Sequence, residues 1–520
     1  MELIGVLGLS VIFLIAYKRE EKMERFFSDH RFLSRSFPFA VCFVISFLLS
    51  LNFSLSPFNA DASGIDSSVF LYIGQSMHHG LVPYKDLFDH KGLVLYFIEY
   101  LGYLIGFGSN VGVWIIELIN LYAIALIFYC TARLFTDSRI VCLLSAYIVL
   151  QLSTLPFFSS DGGNLTEEYA LPWIALSLYF VVKFFLTEEY KNWHIVAIGF
   201  GFAAVFFLRV NMVGLWGALL LAVIIHLIKN KRIAELFKCA LLFILGCVIV
   251  VVPILVYLLA TDSLKGMIDY YFLFNFSYTG SYSRKGIVTF FFDCVTLAGI
   301  SSFFIVYSLV LNYKNKILWV NTAALLIAYA SSSISGRSFI HYGIILCPFF
   351  IIPAVLSLIP LMEKTKEKQI PIRKRGLLAC VIAVCVMCAA LNPLYLFYIK
   401  LRTPDEPSAL YEYLRDNTTE EDDVLFLGTH VVDSLNTNRK TRNKFFFQTP
   451  IDLSDKLYQE FMAELESKPS DYIIDQDFNE SSDPATNQQK VIAYLNDLCE
   501  QGIYQLEKHD DFQVYVRKGK

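Results

Sequence analysis

The stretch DSSVFLYIGQSMHHGLVPYKDLFDHKG, residues 66–92, gathers three aspartates, two lysines and three histidines within a chain that is otherwise mostly apolar. Ionisable or amide groups recur in SSDGGNLTEEY (159–169), LRVN (208–211), the 262–286 segment and SGRSFIHY (335–342). The carboxylates Asp66, Glu167 and Glu168 suit two tasks: drawing a proton from an attacking hydroxyl, and binding a metal or orienting an acceptor. Arg209, Arg284, Lys285, Arg337 and His341 suit an anionic headgroup, and arginine adds a two-pronged grip on phosphate. Asp86, Asp89, His90, Lys91, Asn211 and Tyr278 stand in the same segments and complete the set of candidate substrate contacts.

Plainer roles compete with these. Asp66 sits where a helix begins and could be a cap. Each cation could snorkel to lipid phosphate at the end of a span, the reading preferred for Lys265 and Lys285. Arg209 and Arg337 fit snorkelling less well, because each lies in a tight turn beside polar neighbours, Asn211 for one, Ser335 and His341 for the other. His78 and His79 read as a solvated helix end, since adjacent residues diverge on a helix and make a poor metal pair.

The elements that must carry these groups are membrane spans. The chain has 520 residues, 56% hydrophobic and 17% charged, against about 25% charged in soluble domains. Runs long enough to cross a bilayer lie at 1–17, 37–55, 110–133, 139–157, 169–186, 193–208, 211–228, 235–260, 287–311, 317–334, 340–360 and 376–399, about 12 spans in all. The shorter run 92–108 decides the orientation. If it lies along the outer surface, the inward loops hold 22 lysines and arginines and the outward loops before the tail hold 7. If it crosses, 16 of those 22 move outside, against the positive-inside rule. Residues 66–79 and 92–106 therefore read as two helices in the outer interface, joined through the GLVPY turn.

The expected fold class is an all-α polytopic membrane protein with a C-terminal soluble α/β domain. Residues 1–36 form an N-terminal anchor span and basic cytoplasmic loop, 37–400 a transmembrane catalytic domain with its first outer loop at 56–109, and 401–520 an extracytoplasmic domain. In that tail DDVLFLG, SDYIID and DFQVYVRK read as strands, and SALYEYLRDN, QEFMAELES and QKVIAYLNDLCEQG as helices. Ten of the 11 cysteines lie in or beside apolar segments, so neither a disulfide framework nor a zinc site is expected. The net charge of −4 gives no sign of a nucleic-acid partner.

The first outer segment, with GNLTEEYALP, LRVNMVGLW and SGRSFIHYGIILCP, resembles the GT-C superfamily of membrane glycosyltransferases, in particular the bacterial relatives of protein O-mannosyltransferases and aminoarabinose transferases. The resemblance spans about residues 37–400. It implies an integral enzyme of the bacterial plasma membrane that moves a sugar from a polyprenyl-phosphate donor to an extracytoplasmic acceptor, usually with inversion. Asp66 matches the family's first-loop aspartate, implying acceptor activation, and Glu167 or Glu168 matches its second-loop acid. Where many relatives have proline after the lysine of DHK, this chain has Gly92. Metal use varies across GT-C families, so a divalent cation stays open and no other cofactor is implied. Two further readings stand beside this one. A lipid-linked sugar flippase would need polar groups near the bilayer midplane. A scaffold would depend on its tail.

Overall fold

The computed structural model describes residues 31–58, 64–154, 162–278, 308–310, 312–333, 339–366, 408–428, 431–448, 451, 454–476, 478, 483 and 485–519. It divides into two compact units, Met1–Asn59 with Trp114–Ile254 and Thr279–Thr403, and Ala60–Val113 with Leu255–Tyr278 and Pro404–Lys520.

The first unit is a helical bundle. Among the described residues five helices are long and apolar enough to cross a membrane: Val111–Arg133, Thr166–Thr187, Val210–Lys229, Ile233–Ala260 and His341–Ile359. The expected spans 37–55, 139–157 and 193–208 are shorter apolar helices, Arg35–Ser50, Arg139–Gln151 and Asn192–Phe206, and 317–334 is the helix Lys316–Ser333. The spans 1–17 and 376–399, and 287–311 apart from 308–310, lie outside the described residues.

Buried polar side chains in the bundle find partners across it. The Trp216 indole donates to Ser177 Oγ at 3.1 Å, and the Asn321 amide donates to the Phe349 carbonyl at 2.8 Å. Small residues set the closest approach. A Cβ on Gly199 would strike the Phe243 carbonyl oxygen, and one on Gly246 the Val196 carbonyl oxygen. The helices Asn192–Phe206 and Ile233–Ala260 thus seat glycine on each other's backbone, the packing that lipid-embedded helices favour. Pro348 has no N–H to donate and crowds the carbonyl four residues back. The chain around it, Ile340–Phe350, winds as a 3₁₀ helix before continuing as the α-helix Ile351–Lys366.

In the second unit the helices Ile65–His78 and Leu93–Ile105 pack together where a Cβ on Gly74 would come within 2.6 Å of Glu99 Cβ. Thirteen residues at about 1.5 Å each reach about 20 Å. That is short of a hydrocarbon core of about 30 Å, so Leu93–Ile105 cannot cross one upright.

The tail forms a four-stranded sheet in the order β1-β2-β4-β3, from β1 Val424–Leu427, β2 Tyr472–Asp475, β3 Tyr504–Lys508 and β4 Gln513–Arg517. β1 runs parallel to β2, and the other pairs are antiparallel. Its helices Ala409–Asn417, Asp455–Ser467 and Asn487–Glu500 start on Ser408, Ser454 and Thr486, whose hydroxyls accept from the third N–H beyond each. Hydroxyl caps of this kind satisfy otherwise orphaned N–H groups.

First-loop residues share the core of this unit. Phe88 is fully buried, with its ring 4.9 Å from that of Phe445 and 5.0 Å from that of Tyr270, and its N–H donates to the Lys444 carbonyl at 2.9 Å. Tyr72 stacks on Phe446 at 4.4 Å. Beyond Leu264–Met267 the chain loosens into a π-helix, Ile268–Phe274, then returns to an α-turn, Asn275–Tyr278.

Candidate active site

In the bundle, the turn Gly162-Gly163-Asn164 has φ of +79°, +108° and +57° at its three residues. Such backbone favours glycine and tolerates asparagine. The turn is clamped from two sides. Ser54 N–H donates to the Gly162 carbonyl at 2.6 Å, and Asn164 N–H donates to Glu117 Oε1, also at 2.6 Å. The same Glu117 oxygen would lie 2.6 Å from a Cβ on Gly163, so a side chain there would displace it. The Tyr169 hydroxyl donates to Asn164 Oδ1 at 2.7 Å.

The turn opens the helix Thr166–Thr187 and places Glu167 and Glu168, both buried, in its first turn. Acids there are favoured by the positive end of the helix dipole. Glu167 Oε1 accepts from Arg209 Nη1 at 2.6 Å, and Oε2 accepts from the Thr166 hydroxyl at 2.8 Å. The guanidinium lies 4.2 Å from the centre of the Tyr342 ring, a cation–π seat. Residues 42 positions apart thus form a charge pair whose carboxylate is 3% exposed and whose guanidinium is 17% exposed. The Glu168 carbonyl accepts from the Asn120 amide at 2.8 Å. Asn211 lies in the 3₁₀ turn Val210–Val213 just after Arg209, and buried His341 stacks on Phe339 with ring centres 5.6 Å apart.

The second unit holds another polar cluster, local in sequence. Asp89 is buried and accepts from His90 N–H at 2.6 Å and from the Tyr96 hydroxyl at 2.8 Å. His90 Nδ1 lies 3.3 Å from Asp89, and its Nε2 is 3.2 Å from Lys91 Nζ. Lys91 is 8% exposed, with its ammonium 5.6 Å from the Phe70 ring centre. Its carbonyl accepts from the Tyr84 hydroxyl at 2.6 Å and the Tyr96 hydroxyl at 3.1 Å. Burial pushes the Asp89 carboxyl up, but the His90 hydrogen bond and the Lys91 charge outweigh it and hold it down at about 2. The carboxylate stays ionised, so the cluster keeps a fixed negative charge beside its cation.

Asp66 is the second residue of the helix Ile65–His78 and half-buried. The capping position falls to Gly64, without a side-chain cap, which removes the reading of Asp66 as an N-cap. Asp86 accepts from Val82 N–H at 2.9 Å and closes the turn before Asp89. His78 and His79 are exposed at the end of their helix. Tyr278 ends a short helix and its side chain lies outside the described residues, as do Arg284 and Arg337. Among the described residues no group of three histidine, cysteine or acidic side chains could hold a metal ion.

Sequence reasoning missed Glu117, Tyr342, Tyr84 and Tyr96. For Glu117 a signal existed, since it is an acid inside an otherwise apolar span, and ionisable residues there have a task by default.

The family model described as "Putative competence-induced protein Ccs4 N-terminal domain" matches residues 29–403. A search of the curated proteins finds no match. Among solved structures, ArnT from Cupriavidus metallidurans in the apo state aligns with TM-score 0.59 at 12% identity, covering 92% of this chain and 96% of that one. The same protein bound to undecaprenyl phosphate aligns with TM-score 0.56 at 11% identity over 92% and 97%. The apo oligosaccharyltransferase of Archaeoglobus fulgidus aligns with TM-score 0.50 at 11% identity over 84% of this chain and 69% of that one. Both proteins are GT-C membrane glycosyltransferases, and the likeness is one of fold: this chain has the GT-C fold, with several apolar helices of a multi-pass membrane protein and a small C-terminal sheet.

Proposed function

The chain belongs to the family of the competence-induced protein Ccs4 N-terminal domain, and from that premise, its GT-C fold and its buried charge pair we propose that it is an integral-membrane glycosyltransferase. It moves a sugar from a polyprenyl-phosphate donor to a hydroxyl acceptor outside the bacterial plasma membrane, within a chain of about 12 spans whose tail lies on that same side. The carrying observation is Arg209, held between Glu167 and the Tyr342 ring in a chain that shares the fold of an ArnT bound to undecaprenyl phosphate.

In this reading Arg209 faces the carrier phosphate, and Asn211 and His341 of the same unit line the donor's approach. Asp66 takes the proton of the acceptor hydroxyl as its oxygen attacks the anomeric carbon. The bond from that carbon to the phosphate oxygen breaks, the carrier leaves with the electron pair, and the anomeric centre inverts. The leaving group is already an anion, so cations that balance its growing charge do the work a strong general acid would otherwise do.

The test is transfer in membranes supplied with a polyprenyl-phosphate sugar, followed by mass spectrometry of envelope glycans. Asp66→Asn should lower turnover by about 100-fold or more, the scale of a lost general base, while insertion and expression stay unchanged. Undiminished turnover would remove the assignment. Movement of the intact lipid-linked sugar across liposomes with no covalent product would favour a flippase instead.

A further inference from the structure

At the other end of the helix that carries Glu167, about 20 Å away along its axis at 1.5 Å per residue, the bundle contains a cavity of about 330 Å³. It lies among the helices Thr166–Thr187, Asn192–Phe206, Gly214–Lys229 and Ile233–Ala260, and its walls are apolar side chains such as Ile198 and Phe243. Two of its lining residues, Ile224 and Ile244, are themselves 37% and 55% exposed, so the cavity opens sideways from the bundle. Three of these four helices are long and apolar enough to cross a membrane, and what lies sideways of such helices is hydrocarbon.

The rim of this cavity is polar and basic. The segments 183–191 and 229–238, which bound it, carry six lysines and arginines against three glutamates. Arg232 is held by Glu188 at 2.7 Å and by Glu235 at 2.6 Å. Lys191 and Lys238 are exposed, and Lys238 stands 5.6 Å from the centre of the Tyr190 ring, itself part of the lining. His194 closes the inner end, stacked on Phe180 at 4.3 Å and accepting from Lys191 N–H at 3.3 Å.

We propose that this cavity is a binding site for one acyl chain of an anionic phospholipid whose headgroup rests on Lys191 and Lys238. Size and charge select that occupant. At about 30 Å³ for a water-sized group the volume takes roughly ten methylenes, whereas a helix 10–12 Å across would fill it with fewer than three residues. Polar ligands find little to bond with on walls of leucine, isoleucine and phenylalanine, and an unfilled apolar void forfeits contacts on every side. The excess of lysine favours a negative headgroup, because cations near a membrane surface attract anionic lipid. The positive-inside pattern puts this rim on the inner leaflet. The site is independent of the transferase reading.

The full-length protein is reconstituted in phosphatidylcholine vesicles with spin-labelled phosphatidylglycerol or spin-labelled phosphatidylcholine, and bound lipid is counted by native mass spectrometry after mild extraction. One retained phosphatidylglycerol per chain is expected, preferred about tenfold or more over phosphatidylcholine. Ala240→Phe, which fills the cavity, should abolish retention of both lipids. Lys191→Gln with Lys238→Gln should erase the preference but leave one chain-length of lipid bound. Ile198→Phe is the second filling variant should Ala240→Phe fail to fold. Equal retention of the two lipids by the unaltered protein, or full retention by a folded cavity-filling variant, would overturn the proposal.

Discussion

The two polar clusters solve the same problem, a buried carboxylate, by opposite routes. Asp89 is neutralised by its immediate neighbours: His90, Lys91 and Tyr96 all lie within seven residues, and two of the contacts come from one tyrosine hydroxyl and one adjacent backbone N–H. Glu167 depends on Arg209 from the link between two other helices, on a tyrosine ring more than 130 positions beyond that arginine, and on a turn that the helix Val111–Arg133 holds through Glu117. A locally satisfied charge survives some loosening of the surrounding fold. A charge satisfied across helices exists only when the bundle is assembled, so its integrity reports on packing as well as chemistry.

The sharpest way to break this contrast is to remove one partner of the long-range pair. Arg209→Ala leaves Glu167 buried without its counter-charge and should cost about 3–5 kcal/mol. The double variant Glu167→Gln with Arg209→Gln should recover part of that loss. Thermal unfolding in detergent measures both, and an Arg209→Ala protein as stable as the unaltered one would mean that the pair is not buried in solution. Gly163→Ala strikes the scaffold of the same site. Its φ of +108° and the nearby Glu117 oxygen predict a loss of about 2–3 kcal/mol in the same assay.

The local cluster should respond less to substitution, and it carries a pH dependence of its own. Tyr96→Phe removes one hydroxyl donor from Asp89 and should cost about 1–2 kcal/mol. Because the folded Asp89 carboxyl sits at about 2, below the ordinary 3.8, its contribution is fully present above the ordinary value and fades as pH falls toward 2. Stability measured from neutral pH down to about pH 2 should therefore drop below about pH 4, and Asp89→Asn should flatten that drop. An unchanged slope in Asp89→Asn would assign the acid sensitivity to other carboxylates.

What could be read from the sequence follows the same division. Apolar runs marked the helices from Val111–Arg133 to Ile233–Ala260, because lipid demands long apolar stretches whatever their neighbours are. The alternating and apolar tail segments marked β1, β2 and β4, and helical spacing marked the helices Ala409–Asn417, Asp455–Ser467 and Asn487–Glu500. β3 escaped, since YQLEK is mostly solvent-facing and is a strand through its pairing with β4. The motif marked Glu167 and Glu168 together without choosing between them, and the pairing of Glu167 with Arg209, and of Arg209 with Tyr342, went unmarked, because contacts between distant segments leave no period in the chain. The membership of Phe88 and Tyr72 in the core of the tail's unit was hidden for the same reason.

The widened turn at Ile268–Phe274 has a consequence for how this chain can vary. A π-turn carries one residue more than an α-helix needs, so a one-residue deletion there would be absorbed without breaking the helix. A deletion in a regular α-turn swings everything beyond by about 100°, whereas here the Asn275 amide that reaches the His90 carbonyl at 2.8 Å would keep its face. One residue can therefore be lost at this spot with the histidine loop still held, whereas the same loss elsewhere in the segment would turn that amide away.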